Sequence, residues 1–325
     1  MVVDKTILVT GGCGFIGSNF LHMLDAIGWT GLVVNVDALT YAGRLENLEG
    51  LNLKNYKFFP YDINNPILGA VFDATKPDVV VNFAAESHVD RSITGPDIFL
   101  KTNIVGTGHL LDLSVKNNVK QFIQISTDEV YGDLDNAAPE SVETDNLAPS
   151  SPYSASKASA DLLALSYART YGLHVNVTRC SNNYGPRQFP EKLLPLMISK
   201  ARNNEKLPIY GDGQQIRDWI HVTDHCDGVL SVIESGKSGE IYNFGGDNEL
   251  PNMEVVDSIL TALDKPQSLK ERVTDRLGHD RRYAINFSKA TKDLGWVPKT
   301  DWVAGLANTI RWYEEEDVSA ETETS

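Results

Sequence analysis

Cysteine is scarce. Cys13, Cys180 and Cys226 are the only ones in 325 residues, and none falls in a C-x-x-C or metal-type spacing. That argues against a disulfide framework and against a bound metal, and it fits a reducing, cytoplasmic setting. Long apolar runs are missing too: the stretches around residues 79–81 and 123–125 fall far short of the ~20 residues a membrane span needs. No membrane partner is expected. The chain opens without a basic segment followed by an apolar one, so nothing in it directs export. Positive charge is in short supply, with 29 Lys and Arg against 44 Asp and Glu and a net charge of −15. A negative field of that size argues against a nucleic-acid backbone as partner. It leaves room for one small anionic ligand, because a few arginines in a cleft reverse the field locally. Internal repeats and low-complexity tracts are absent before the tail.

What is present is globular. Hydrophobic residues at 42% and charged ones at 22% suit one large or two ordinary domains. Near the start, K-T-I-L-V-T-G-G-C-G-F-I-G gives a short apolar strand, a glycine turn and the helical pattern Phe15, Ile16, Phe20, Leu21, Leu24. Gly12, Gly14 and Gly17 fit G-x-G-x-x-G, and Gly11, Gly14 and Gly17 fit the related 3-3 spacing. Such a turn lets backbone approach a pyrophosphate, which faces the free N–H groups of the helix start. A second apolar strand, residues 32–36, ends in Asp37, twenty residues after Gly17. An acid there binds ribose hydroxyls and repels a 2′-phosphate, so NAD is expected rather than NADP. Cys13 in the turn reads as a packing residue.

The units repeat. A third strand precedes Asp62 and Ile63, where an acid could meet adenine, although a plain loop acid is nearly as good a reading. The fourth strand ends in Phe83, Ala84 and Ala85, small enough for backbone to lie against the cofactor, and A-A-E-S-H-V-D-R-S follows. His88 there reads as a structural histidine. Residues 98–117 read as one helix with Thr102 and Asn103 near its start. Strands alternating with helices over some 180 residues predict a parallel, doubly wound α/β sheet.

The fifth strand, Q-F-I-Q-I-S-T-D-E-V-Y-G, ends abruptly in Ser126, Thr127, Asp128 and Glu129. Ligands bind outside the carboxyl ends of such strands. Two adjacent carboxylates on extended chain point different ways and could act as an acid and a base. Further on, Ser151 is the expected N-cap and Pro152 the first residue of a helix carrying Tyr153 and Lys157. At i and i+4 these two share a face. A lysine ammonium nearby would lower the tyrosine pKa from its usual value of roughly 10, making Tyr153 a base. Lys157 would also reach the nicotinamide ribose. Beyond the sixth strand, residues 175–179, loops lengthen, as in a smaller substrate domain. Basic islands stand out there: Arg217 in R-D-W-I-H, and Arg276, His279, Arg281 and Arg282 in D-R-L-G-H-D-R-R-Y. Arginine suits bidentate phosphate contact, so a diphosphate between the two islands is expected. The division is residues 1–180 for the dinucleotide, 181–313 mainly for the substrate, and 314–325 as a disordered acidic tail.

Together, T-G-G-x-G-F-I-G, Asp37, A-A-E-S-H-V-D-R-S, S-T-D-E-V-Y-G, P-Y-S-A-S-K, R-C-S-N-N-Y-G-P, R-D-W-I-H-V-x-D-H and G-H-D-R-R-Y resemble the extended short-chain dehydrogenase/reductase family. Within it they are similar to the dTDP-glucose 4,6-dehydratases, from about Lys5 to Tyr313. The discriminating stretch is S-T-D-E-V-Y-G, because related epimerases and decarboxylases usually have other residues where Asp128 and Glu129 stand, whereas the dehydratases have T-D-E. Leu277 departs from the proline of many relatives. The resemblance implies conversion of dTDP-glucose to the 4-keto-6-deoxy sugar and water, with Thr127, Asp128, Glu129, Tyr153 and Lys157 as the catalytic set. It implies NAD contacts from Gly11, Gly14, Phe15, Ile16, Gly17, Asp37, Ala38, Leu39, Thr40, Asp62, Ile63, Phe83, Ala84, Ala85, Ser87, Thr102 and Asn183, besides Tyr153 and Lys157. For the sugar nucleotide it implies Ser87, Thr127, Asn182, Lys192, Leu193, Pro208, Tyr210, Arg217, Asn252, Arg276 and His279. A homodimer through a helical bundle is also implied, with Leu162, Leu163, Leu165 and Tyr167 available for its apolar face, though core packing explains them equally. Three alternatives stay open: a 4,6-dehydratase for another nucleotide sugar, an epimerase or decarboxylase, and a silent NAD-binding protein. Asp128 and Glu129 speak against the second, and the intact catalytic set against the third.

Overall fold

The computed structural model describes residues 4–276 and 278–315; Leu277 and the tail from Glu316 lie outside them. Six strands come first: β1 (Ile7–Thr10), β2 (Val33–Val36), β3 (Tyr56–Phe59), β4 (Val79–Asn82), β5 (Gln121–Thr127) and β6 (Val175–Cys180). Then follow β7 (Asn182–Tyr184), β8 (Leu207–Tyr210), β9 (Ile216–His221), β10 (Ile241–Phe244), β11 (Glu249–Pro251), β12 (Lys270–Val273) and β13 (Arg282–Tyr283). Seven of them form one sheet in the order β10-β6-β5-β4-β1-β2-β3, and every pairing in it is parallel. The expected doubly wound parallel sheet is present. Chain order reverses between β1 and β4, which opens a crevice above their carboxyl ends.

Both faces of this sheet are covered, so its strands are apolar throughout rather than alternating. Ile7, Val9, Val79, Val81 and Ile123 face one cluster with Phe20, Leu24 and Val229. Leu8, Val34, Val80, Phe122 and Val175 face the other, with Phe72, Leu110 and Leu111. Neighbouring residues thus go to opposite sides, with the period of two that a strand imposes. A third cluster, around Tyr184, Met197, Trp219, Val255 and Trp302, belongs to the smaller sheet β11-β9-β13, with β7 paired to β9.

Three local readings need correction. β5 runs two residues beyond the expected 121–125, because Ser126 and Thr127 pair with Arg179 and Cys180 of β6. Asp128 and Glu129 therefore open a 3₁₀ turn, Asp128–Tyr131, rather than continuing extended chain. Their side chains still diverge, since successive residues of such a turn rotate by about 120°. The single helix expected over 98–117 is interrupted by a π-helical stretch, Leu100–Gly106, that carries Thr102 and Asn103. Asn103 is buried there, accepting from the Glu86 N–H and donating to the Glu86 carbonyl and the Ser156 hydroxyl. Local sequence holds no sign of those distant partners. Finally, the helix Trp302–Glu315 carries Glu314 and Glu315 in regular structure, where disorder was expected. Its buried stripe of Trp302, Leu306, Ile310 and Tyr313 packs on the third cluster and carries the helix past the last apolar position.

Candidate active site

The glycine turn lies at the β1–β4 switch. Gly11 has φ +70°, and a Cβ on it would come within 2.7 Å of the Ala84 nitrogen, so the turn and the end of β4 touch as backbone. A Cβ on Gly17 would stand 2.2 Å from the Gly11 carbonyl oxygen. Gly14 differs: its φ of −79° suits any residue, and a Cβ there meets only the Gly11 oxygen, at 3.3 Å. The protein's own packing hardly requires glycine at 14, and the open space beside it, at the start of the helix Phe15–Ala26, is where a pyrophosphate would lie. Asp37 closes the far side of the turn. Its oxygens accept from the N–H groups of Cys13 and Leu39, each at 2.8 Å. Asp37 is thus a structural tie, and its remaining lone pairs suit two ribose hydroxyls. Asp62 accepts from Asn64 N–H at 2.7 Å and Ile63 is buried, in keeping with the plain loop reading. Phe83 packs on Phe20 with ring centres 5.3 Å apart. These residues fit a dinucleotide without a 2′-phosphate.

At the end of β5 the sheet and the capped helix Pro152–Tyr171 bring the five expected catalytic residues together. Ser151 caps that helix, accepting from Ser154 N–H, with Pro152 at its first position as expected. Burial, then the neighbouring charges of Glu129 and Asp218, push the Asp128 carboxyl well above its ordinary value; Arg217 and a Thr127 hydrogen bond oppose this. Its Oδ2 makes no hydrogen bond among the described residues. Burial also leaves Glu129 raised, with Arg217, Lys192 and Arg276 opposing the rise and Asp280 adding to it. One carboxyl of the pair is thus held towards its neutral form, and the other faces three cations.

Tyr153 and Lys157 differ from expectation. Burial and the charges of Glu129, Cys180 and Asp128 push the Tyr153 hydroxyl well above its ordinary value. Lys157 is itself lowered by burial, and its Nζ donates to the Ile125 carbonyl. In the protein's own field the lysine does not set the tyrosine, because both are desolvated at the strand end.

Beside this cluster is a cavity of about 260 Å³. Its lining includes Glu129, Asn182, Asn183, Lys192, Leu193, Pro208, Tyr210, Arg217, Asn252, Arg276 and His279, so residues distant in sequence converge. Thr127, Asp128, Tyr153 and Lys157 are not among its lining residues, and Ser87 touches the lining through its carbonyl, which accepts from Lys192 Nζ at 2.9 Å. Arg217 is buried, stacked 4.3 Å over the Tyr283 ring, and donates to the Asp280 carbonyl at 3.0 Å. Arg276 meets His279 Nε2 at 3.1 Å, and His279 Nδ1 meets Asp275 at 2.6 Å. Asn183 Oδ1 meets Nδ1 of buried His225 at 2.9 Å, which fixes its amide. His88 caps the helix Val89–Thr94, as a structural histidine would.

Residues 8–309 match the family described as GDP-mannose 4,6 dehydratase. The dTDP-glucose 4,6-dehydratase of Xanthomonas campestris pv. campestris is 48% identical over 328 residues, covering 95% of this chain and 93% of its own. The chain belongs to the dTDP-glucose 4,6-dehydratase family. A crystal structure of the dTDP-glucose 4,6-dehydratase from Streptomyces venezuelae with NAD bound superposes with a TM-score of 0.93 at 45% identity, covering 96% of this chain and 97% of that one. A UDP-glucose 4-epimerase of Thermotoga maritima, solved with UDP-glucose, reaches 0.89 at 32% identity, covering 95% and 99%. Dehydratase and epimerase share this fold, so the site and not the sheet carries the reaction.

Three groups at this dehydratase site escaped the sequence. Asp218 reaches the N–H groups of Gly246 and Asn248, each at 2.8 Å, and raises Asp128 from behind. Asp280 accepts from the hydroxyls of Ser150 and Tyr283, tying the loop before the Tyr153 helix to the Arg276 segment. Asp161 pairs with Arg179 at 3.0 Å beneath β5 and β6, both fully buried. Only the neighbouring letters of R-D-W and H-D-R-R-Y hinted at the first two.

Proposed function

We propose that this dehydratase converts dTDP-glucose to dTDP-4-keto-6-deoxyglucose and water. The observation that carries this reading is the carboxylate pair at the end of β5: burial raises both members, but Asp128 has two further acids beside it, whereas Glu129 faces three cations and lines the cavity. NAD, when bound, would supply the redox chemistry, a hydride acceptor for oxidation at the sugar C4 and a hydride donor for reduction at C6. Gly14 and the helix start would take its pyrophosphate, and Asp37 its ribose. Burial and the acids beside it keep Tyr153 a phenol, and the positive charge of oxidised NAD would oppose that, so that Tyr153 takes the 4-hydroxyl proton while Thr127 hydrogen-bonds the same oxygen. A ketone at C4 acidifies the C5 proton, which Glu129 removes. Asp128, held neutral, protonates the 6-hydroxyl, which departs as water. Glu129 then returns its proton to C5. Environment-split carboxylates are the general means of running an acid and a base side by side. Arg217, Arg276, His279 and Lys192 would meet the diphosphate, with Asn182, Asn252, Leu193, Pro208 and Tyr210 around the rest of the nucleotide.

The test is to incubate the protein with dTDP-glucose and no added reductant, and to follow product mass. Loss of one water, and a much slower Asp128→Asn variant, is the expected result. Unchanged mass with conversion to dTDP-galactose would instead establish an epimerase.

The protein is further proposed to be a homodimer. Leu163, Leu165 and Tyr167 pack against the sheet, whereas Leu162 is 60% exposed beside Leu100 and Val105, at 46% and 61%, on the adjacent π-helical stretch. A second copy would cover them. The three cysteines are free and buried, which supports a cytoplasmic setting. No helix among the described residues is long and apolar enough to cross a membrane.

A further inference from the structure

The proposed dehydration, on which this inference rests, divides between two elements. Tyr153, on the helix Pro152–Tyr171, serves the oxidation at C4, whereas Asp128 and Glu129, on the turn Asp128–Tyr131, serve the elimination. One sugar must meet both, so helix and turn have to stand in register with each other. The contacts that hold each of them lead to one buried side chain, Arg179.

Arg179 stands on β6 one rung before the strand ends, level with Ser126 of β5 and Asn243 of β10. Alternation along β6 puts it on the same side as Val175 and Val177, which pack with Ala164 of the helix. From that helix Asp161 reaches it, Oδ2 to Nε at 3.0 Å. Asp161 follows Lys157 by four residues and Tyr153 by eight, so the three share a face. From the turn comes Tyr131, whose ring centre lies 4.8 Å from the Arg179 guanidinium and whose hydroxyl donates to Asn243 Oδ1 at 2.8 Å. The Asn243 amide nitrogen donates to the Ser141 carbonyl at 3.1 Å, which leaves Oδ1 for the tyrosine. Tyr131, Asp161, Arg179 and Asn243 are all buried, and none of the four lines the cavity. A buried ion pair adds little stability beyond what packed apolar side chains supply, so this one points to a directing role.

We propose that Tyr131 is a positioning residue that fixes the elimination pair against the helix of the oxidation step, with Arg179 as their common post. Thr127, paired with Cys180, holds the turn where it begins, and Tyr131 holds it where it ends. Asp128 and Glu129 stand between those two anchors. Through Asp161 the same guanidinium holds the helix that bears Tyr153. Tyr131 meets no reacting atom in this scheme and acts through where it sets the two carboxyls.

The two steps give separate signals, and the test reads both. With NAD-loaded protein in excess over dTDP-glucose, oxidation is followed as the absorbance of reduced nicotinamide, and elimination as loss of water from the sugar, by quenching and mass. Tyr131→Leu removes both contacts of the tyrosine. It should oxidise the sugar at close to the wild-type rate and eliminate roughly 10²-fold more slowly, the scale of loss from a misplacement of about 1 Å. Reduced nicotinamide should then build up together with a 4-keto sugar that has kept its water. Tyr131→Phe keeps the ring over Arg179 and loses only the hydrogen bond, so the same build-up should appear at smaller size. A merely structural tyrosine would lower the urea midpoint and slow both signals in step, because unfolded protein performs neither. Parallel loss without build-up in both variants would overturn the positioning role and leave the dehydratase reading intact. Wild-type protein that never releases water would remove both.

Discussion

The two walls of the active site are built on different principles. The dinucleotide wall is made of backbone: Gly11 against Ala84, the start of the helix Phe15–Ala26, and Asp37 bonded to two N–H groups only two and twenty-four residues away. The sugar-nucleotide wall is made of charged side chains gathered from afar, among them Lys192 on Ser87, Arg217 on Asp280 and Tyr283, and Arg276 with His279. A pyrophosphate held by N–H groups and a helix start needs close approach, so the first wall is sensitive to volume. A diphosphate held by guanidinium groups needs charge and direction, so the second is sensitive to the sign and shape of single side chains. Asp128 and Glu129 follow the last residue of β5; burial raises both, and the cations of the charged wall offset more of that rise at Glu129.

That contrast can be broken or sharpened by experiment. The largest effect belongs to the seam: Asp128→Asn should lower kcat by about 10²–10⁴, the loss expected for a general acid, with little change in KM. A steady-state assay of product formation decides it. On the charged wall, Arg217→Ala should raise KM for dTDP-glucose about 10-fold or more, as loss of a hydrogen bond to a charged group implies, and change kcat less. A drop in kcat with unchanged KM would place Arg217 with the chemistry instead. On the backbone wall, Gly17→Ala should cost about 1–3 kcal/mol of stability through overpacking against Gly11, read as a lower midpoint in urea unfolding. Gly14→Ala, with only the Gly11 oxygen near it, should leave that midpoint almost unchanged and weaken NAD binding, measured by fluorescence titration.

The smallest effect is one of pH. Below the ordinary value of about 3.9, Asp128 is protonated in folded and unfolded chains alike. As pH rises from there, the unfolded chain gives up its proton first, because the folded pKa is raised by burial and by Glu129. Stability due to this group is then lost until pH passes the folded pKa. Asp128→Asn cannot ionise, so its Tm relative to wild type should climb with pH across that window and then level. A constant difference would mean that Asp128 ionises as easily inside as outside.

The dinucleotide wall was legible in the sequence because its parts are local. A strand, three glycines and an acid twenty residues on specify their own geometry, and Ser151 with Pro152 announces the helix that bears Tyr153. The other wall was legible only as a set of basic letters. Asn103, Asp218, Asp280 and His225 act on partners 17 to 130 residues away, and no local pattern marks such a pairing. Tyr153 and Lys157 teach the same lesson from the other side. Their spacing was read correctly, but the expected fall in the tyrosine pKa was not, since i,i+4 geometry says nothing of how far both groups are buried.

By itself, then, the sequence determined the alternation of strand and helix, the order of the sheet's chemistry-bearing ends and the identity of the residues there, because hydrophobic period, turn glycines and helix caps act over a few residues. Only the tertiary structure decided which carboxyl is raised most, which cations face the other, and that Asp218 stands beside Asp128. Those are matters of desolvation and distance between groups, and both quantities come into being when the chain is packed.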